Sequence, residues 1–188
     1  MEKKLFIKNM VCNRCIKVIQ MEIENLNIEL KHIELGSIIY IEKSKDDFEQ
    51  IKTVLEANGF EVLLAHDQQI VEQIKIELIR LLQQLPLQLD QTLSKHLENQ
   101  LQIEYSKISK LFSSKEQITI EKYFIKLKME KVKEICQLQE YNFTQISQLL
   151  DYSHINHLSR QFKNETGMSL SSYKKSQHTN RNSLDEIG

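Results

Sequence analysis

The chain of 188 residues has one proline, Pro86, four glycines and no tryptophan. Turn-dense β-sandwiches and Gly-rich phosphate loops both draw on residues that are scarce here, so neither is expected. No uncharged apolar run reaches the ~18 residues that a membrane span requires. The N-terminal run Leu5-Phe6-Ile7 is closed by Lys8 after three apolar residues, too short for a secretory leader. Cysteine is also sparse. There are three, two of them in Cys12-Asn13-Arg14-Cys15, which suits a reducing cytoplasm better than a disulfide scaffold. No carboxylate pair, Ser/His/Asp set or phosphate loop stands out, so an enzyme is not expected.

What is present is a chain able to build cores, with 40% hydrophobic and 27% charged residues. Its net charge of −1 argues at first against a polyanionic partner. The average hides two unlike segments. Residues 1–104 hold 12 basic against 17 acidic residues, a balance of −5, whereas residues 105–178 hold 12 against 7, a balance of +5. Such asymmetry points to a segment that meets a polyanion, although a solvated helical surface would look the same.

In the first 65 residues the hydrophobic period changes several times. Lys4 to Lys8 is a short β-type run, and from Cys12 onward Cys15, Ile16, Ile19, Ile23 and Leu26 follow helical spacing. Ile28–Leu35 and Ile38–Ile41 flank Gly36 as a hairpin would. Asp46-Asp47 open a second helix that Asn58-Gly59 stops, and Phe60–Leu64 reads as a last strand. The order βαββαβ is a ferredoxin-like unit.

From His66-Asp67 the period stays helical. Ile70 to Leu82 forms an apolar stripe that halts before Pro86. An internal repeat then appears at an offset of 50. Ile108-Ser109-Lys110-Leu111-Phe112 pairs with Leu158-Ser159-Arg160-Gln161-Phe162, Ile118-Thr119-Ile120 with Met168-Ser169-Leu170, and Tyr123 with Tyr173. Each copy follows a short amphipathic helix and reads as a bihelical unit able to place its second helix in a major groove. Between the copies, Thr119 to Gln137 predicts one long helix, with Lys122, Lys126, Lys128, Lys131 and Lys133 expected on its solvent face. Held by that spacer, the two units would meet major-groove segments about 34 Å apart on one side of a duplex. Cys136 falls on the apolar stripe of the spacer and is expected in the core, and His154 and His157 read as polar surface. The fold class is therefore α+β, a ferredoxin-like βαββαβ domain (1–66) followed by an all-α tandem helix-turn-helix domain (67–178). A tail, 179–188, is expected to lack fixed structure.

Two stretches resemble known families. Asn9-Met10-Val11-Cys12-Asn13-Arg14-Cys15, with Gly59-Phe60 before the last strand, resembles the heavy-metal-associated (HMA) domain family over about 65 residues. Asn9 stands where that motif has glycine, and Asn accepts positive φ better than most residues. The resemblance implies that Met10 is a core anchor beneath the loop. Cys12 and Cys15, at a strand-to-helix junction that favours thiolates, are the candidate ligands for one Cu(I) or Zn(II). Redox sensing by the pair, and two inert cysteines, stay open beside metal binding.

Ile146 to Lys174, ending in Phe162-Lys163-Asn164-Glu165-Thr166-Gly167-Met168-Ser169 and Tyr173, resembles the AraC/XylS family of transcription regulators, with coverage from about residue 68 to 177. Asp151 replaces the usual turn glycine, Leu170 the usual proline, and Gln117 the glycine of the first copy.

With Leu158, Phe162, Ile108 and Phe112 facing the core, the second unit presents Asn156, His157, Ser159, Arg160 and Lys163, and the first presents Ser106, Lys107, Ser109, Lys110 and Ser113. Arg160 can fork to guanine O6/N7 and Asn156 can pair with adenine N6/N7, whereas the short side chains of the first unit suit phosphates. An ion pair with Glu165 is the competing role for Arg160. The expected whole is a cytoplasmic transcription regulator that binds double-stranded DNA as a monomer or weak dimer. Metal or oxidation at Cys12/Cys15 would change how residues 1–65 pack on the Ile70–Leu85 helix. The alternative is a metal-trafficking or redox-sensing protein whose helical part meets proteins rather than DNA.

Overall fold

The computed structural model describes residues 1–176, together with 184 and 187. The tail expected from 179 onward therefore lies, apart from Leu184 and Ile187, outside the described residues. The fold is α+β, and its contacts divide it into two units, Met1–Ile76 and Glu77–Gly188.

The first unit runs β1 (Glu2–Lys8), α1 (Asn13–Asn25), β2 (Glu29–Glu34), β3 (Ser37–Ile41), α2 (Asp47–Ala57) and β4 (Glu61–Leu63), followed by the start of α3 (His66–Gln83). The strands form one antiparallel sheet in the order β2-β3-β1-β4. β1 is central, and Phe6 faces both Ser37 and Leu63 in the register. The βαββαβ order predicted by the changes of period is the order observed. Alternation in the strands sends Ile7, Ile38 and Tyr40 to one face, where Ile19 and Ile23 of α1 and Ile51 and Leu55 of α2 complete a buried core. Ile76 of α3 also belongs to that core. The boundary expected at 66/67 marks the start of α3, and the contacts divide ten residues later. Four junctions of this unit take left-handed backbone, at Asn9, Asn27, Gly36 and Gly59. Gly36 closes the β2–β3 hairpin at φ +78°, and a Cβ there would lie 1.9 Å from Ile76 Cδ1.

The second unit contains the rest of α3, then α4 (Leu93–Leu101), α5 (Tyr105–Glu116), α6 (Ile120–Leu138), α7 (Phe143–Leu149), α8 (Ile155–Thr166) and α9 (Leu170–Lys175). The sequence repeat is a structural repeat. Phe112 and Tyr123 meet edge-to-face with ring centroids 5.4 Å apart, and Phe162 and Tyr173 do the same at 5.6 Å. Thr119 caps α6 by accepting the Lys122 amide, and Ser169 caps α9 by accepting that of Ser172. Gln117 ends α5 at φ 59°, the left-handed position that Gly167 takes after α8 at φ 74°. Leu170 opens α9 at the first helical position, where proline is also favoured, so either residue fits. The turns are not identical: residues 102–104 separate α4 from α5, and residues 150–154 separate α7 from α8.

One expectation fails. The lysines of α6 do not share a solvent face. Lys133 is buried and donates to Glu130 at 2.5 Å, Lys128 is half-buried, and Lys131 pairs with Glu134 at 3.1 Å. The reason is geometric. α6 packs against both α5 and α8, and its buried positions, Ile120 to Cys136, run around the whole helix. A central helix wrapped by partners has no broad solvent face to give its lysines. Cys136, as expected, is in the core.

Gly36→Ala adds both left-handed strain and a clash with buried Ile76, and should cost about 2–4 kcal/mol. Gly59→Ala, at φ +81° but with nothing within 4 Å, carries strain alone and should cost about 1 kcal/mol. Denaturant midpoints of the two variants, followed by circular dichroism, give the comparison; equal losses would show that Ile76 yields freely.

Candidate nucleic-acid interface and cysteine site

In the second unit burial separates the two faces of each second helix. On α8, Leu158 and Phe162 are fully buried, while Asn156, His157, Arg160 and Lys163 are exposed and Ser159 is half-exposed. On α5, Ile108 and Phe112 are buried, Ser106, Lys107 and Lys110 are exposed, and Ser109 is again half-exposed. The positions expected to face a ligand are exposed or, at Ser109, Ser113 and Ser159, half-exposed, and the pattern repeats between the helices. This follows from placing large apolar residues at i and i+4 and short or charged ones between them. His154 occupies the N-cap position of α8 without a side-chain capping bond, and its ring meets that of His157 edge-to-face at 6.2 Å. Both histidines are exposed, as read from the sequence.

The partner proposed for Arg160 is engaged elsewhere. Glu165 accepts from Lys122 of α6 at 2.5 Å, and among the described residues no acidic group pairs with Arg160 or Lys163. Next to Lys122, Glu121 accepts from the Tyr105 hydroxyl at the start of α5. Two consecutive side chains in the first turn of α6 thus hold the start of one second helix and the end of the other. Sequence reasoning missed both ties, because they join residues 16 and 43 positions apart.

Residues 97–176 match the family model of a helix-turn-helix domain. The match covers α5, α6, α7, α8 and α9 and all but the first four residues of α4, so it takes in the helix between the two helix pairs, the second pair whole and most of the first. The C-terminal domain of AraT, a response regulator from Geobacillus stearothermophilus, is similar in structure. It is 19% identical with a TM-score of 0.52, and the match covers 62% of this chain and 92% of that one. At that identity the likeness establishes the fold. No curated protein matches the chain.

In the first unit, Asn9 ends β1 at φ 72°, the left-handed conformation expected where the resembled motif has glycine. Its side-chain amide donates to the Gly59 carbonyl at 3.0 Å, and its backbone amide to buried Glu72 of α3 at 3.2 Å. The Cys15 thiol in turn faces the Asn9 carbonyl at 3.9 Å. Met10 is fully buried beneath the loop. Cys12 is the N-cap of α1, and its sulfur lies 3.6 Å from that of Cys15. Both cysteines are half-buried.

The two thiols differ. Burial pushes the Cys12 thiol up, but the backbone and side-chain groups of Cys15 and Arg14 facing its sulfur outweigh this and bring it below its ordinary value. Burial pushes the Cys15 thiol up, and the neighbouring Cys12 sulfur adds to that rise. Two sulfurs of a tetrahedral site with ~2.3 Å bonds lie about 3.8 Å apart, so the observed spacing fits one shared ion. Among the described residues, no group of three or more His, Cys, Asp or Glu gathers to hold a metal.

Arg160→Ala should cost about 1–3 kcal/mol of specific DNA binding and relax base choice at one position, measured by titration against matched and mismatched duplexes. Because thiolates are the reactive form, the lowered Cys12 pKa should make Cys12 alkylate faster than Cys15 between pH 6 and 8, with the gap closing as the pH rises past both pKa values. Peptide mass mapping after timed iodoacetamide pulses resolves the two residues, and equal rates at pH 7 would contradict the assignment.

Proposed function

We propose that the chain is a sequence-specific DNA-binding transcription regulator of the AraC type, whose N-terminal unit takes a soft metal ion at Cys12 and Cys15. The observation that carries the DNA reading is the repeated face of α5 and α8, polar and solvent-facing over a buried apolar pair, within a matched helix-turn-helix domain. α8 is the base-reading helix in this account. Arg160 has a free guanidinium fork for guanine, Asn156 an amide for adenine, and Lys163 a charge for phosphate. α5 offers Ser106, Lys107, Ser109 and Lys110, which suit phosphate oxygens and set register rather than sequence. α6 holds the two helices at a fixed spacing through Glu121 and Lys122, so one protomer engages two groove segments.

For the cysteine pair, two sulfurs suit Cu(I), which accepts two thiolates, better than Zn(II), which needs two further donors. When bound, the ion would replace the thiol protons with a single soft cross-link between the sulfurs. Asn9 would feel that exchange directly, since its carbonyl faces the Cys15 thiol and its amide is held by Glu72 of α3. The same 3.6 Å spacing and lowered Cys12 pKa also favour, as a second reading, oxidation of the pair by a two-electron oxidant such as a peroxide, which takes both electrons while the two thiol protons are lost and one S–S bond forms. A disulfide would close the sulfurs to about 2.05 Å.

One set of titrations tests the whole. If the helical domain binds DNA by neutralising several phosphates, log K should fall steeply and linearly with log salt. A flat salt dependence would leave a protein-contact role for the domain. Reduced wild type should also hold Cu(I) against a chelator more tightly than a Cys12→Ser/Cys15→Ser variant. Equal retention by both would remove the metal reading and leave the DNA reading standing.

A further inference from the structure

Lys128 of α6 makes contacts that converge on the turn that aims α8. Its Nζ donates to the Leu150 carbonyl at 3.0 Å, and it lies 4.9 Å from the Tyr152 ring centroid and 5.2 Å from that of Phe124. An ammonium over two aromatic faces, with a carbonyl in front, is held in place rather than swinging in solvent.

The position of that carbonyl gives the contact its meaning. α7 has only seven residues, and the last carbonyls of a helix have no partner within it. Most of those near the end of α7 are met locally or by the adjoining chain. The Ser147 carbonyl accepts from the Tyr152 amide at 2.9 Å, the Gln148 carbonyl from the Asp151 amide at 3.2 Å, and the Leu149 carbonyl from the Leu87 amide at 2.8 Å. The Leu150 carbonyl belongs to a fully buried residue and is met by Lys128. At the next residue, Asp151, the backbone turns left-handed at φ 59°. One residue later Tyr152, whose ring lies against Lys128, bonds through its hydroxyl to Gln161 of α8. Lys128 therefore grips the chain immediately before and immediately after its reversal.

The first unit does this differently. Its turn is two residues shorter, and it is closed from within when Glu98 of α4 accepts the Tyr105 amide at 2.8 Å. The longer second turn relies on a side chain from α6.

We propose that Lys128 is a positioning residue for DNA reading: it sets the turn that aims α8 and makes no contact with the duplex. This rests on the DNA-binding reading above. The competing role is that of an ordinary phosphate-binding lysine, and the two roles differ in what salt reports. A lysine that neutralises a phosphate contributes about one unit to the slope of log K against log salt. A half-buried positioning lysine that neutralises no phosphate leaves the slope unchanged and acts on sequence preference.

The probes are a duplex selected from a random-sequence pool by the full wild-type chain and a scrambled duplex of equal length. Lys128→Met keeps the length of the stem and loses the donor. It should bind the selected duplex about 10-fold more weakly, with affinity for the scrambled duplex and the salt slope both unchanged. Lys163→Ala is the comparator and should weaken binding to both duplexes and lower the slope by about one. Lys128→Arg keeps the charge but brings a wider planar group between the two rings, so it should also lose preference for the selected duplex; it carries the comparison if circular dichroism shows Lys128→Met to be unfolded. Wild-type binding by either Lys128 variant overturns the proposal, and so does an equal loss on both duplexes with a shallower slope in Lys128→Met. Failure of the wild type to enrich any duplex would instead remove the DNA reading, and this inference with it.

Discussion

The burial of α6 on all sides is the constraint on which the helical unit depends. A helix that must touch α5 and α8 at once cannot be amphipathic in the usual one-sided sense. Its polar residues must then be paired or used. Glu130 and Lys133 neutralise one another inside the unit, Glu121 and Lys122 reach out to hold α5 and α8, and Lys128 reaches the turn before α8. Breaking the buried Glu130–Lys133 pair from one side would leave a charge without its partner, which is far costlier than losing an exposed pair. Among the described residues no acidic group of α6 pairs with Lys107, Lys110, Arg160 or Lys163, and Lys107 meets Glu104 beside it at 4.0 Å, so these basic groups stay at the solvent-facing side.

In the first unit the equivalent role falls to a single residue. Asn9 is the junction of β1, the cysteine loop, the turn before β4, and α3. Its left-handed backbone turns its carbonyl towards Cys15 while its amide reaches Glu72. A β-branched or bulky residue would be strained there, and one without a side-chain amide would lose the tie to Gly59. The chemistry of the two sulfurs and the packing of α3 thus share one short stretch of backbone.

Much of this was legible in the chain. The βαββαβ order could be read because the apolar period switches between two and 3.6 at each element, and Gly36 and Asn58-Gly59 mark the turns. The tandem units could be read because the aromatic pair Phe112/Tyr123 recurs as Phe162/Tyr173, and edge-to-face packing is what that spacing builds. The faces of α5 and α8 were legible for the same reason: they lie on single helices, where spacing alone fixes direction. The lysines of α6 were misread because a single-helix argument assumes one buried side. The role of Lys128 was illegible because its partners, Leu150 and Tyr152, lie more than 20 residues away.

The amino-acid sequence by itself determined the fold class, the repeat, the polar faces and the cysteine pair, because each depends on spacing within one element or across one turn. Only the tertiary structure decided which charges are spent internally and which are left for a partner. Glu165 could have paired with Arg160 on its own helix and pairs with Lys122 instead. The choice depends on distances and burial set by packing between helices, and those are not written in the period of any one of them.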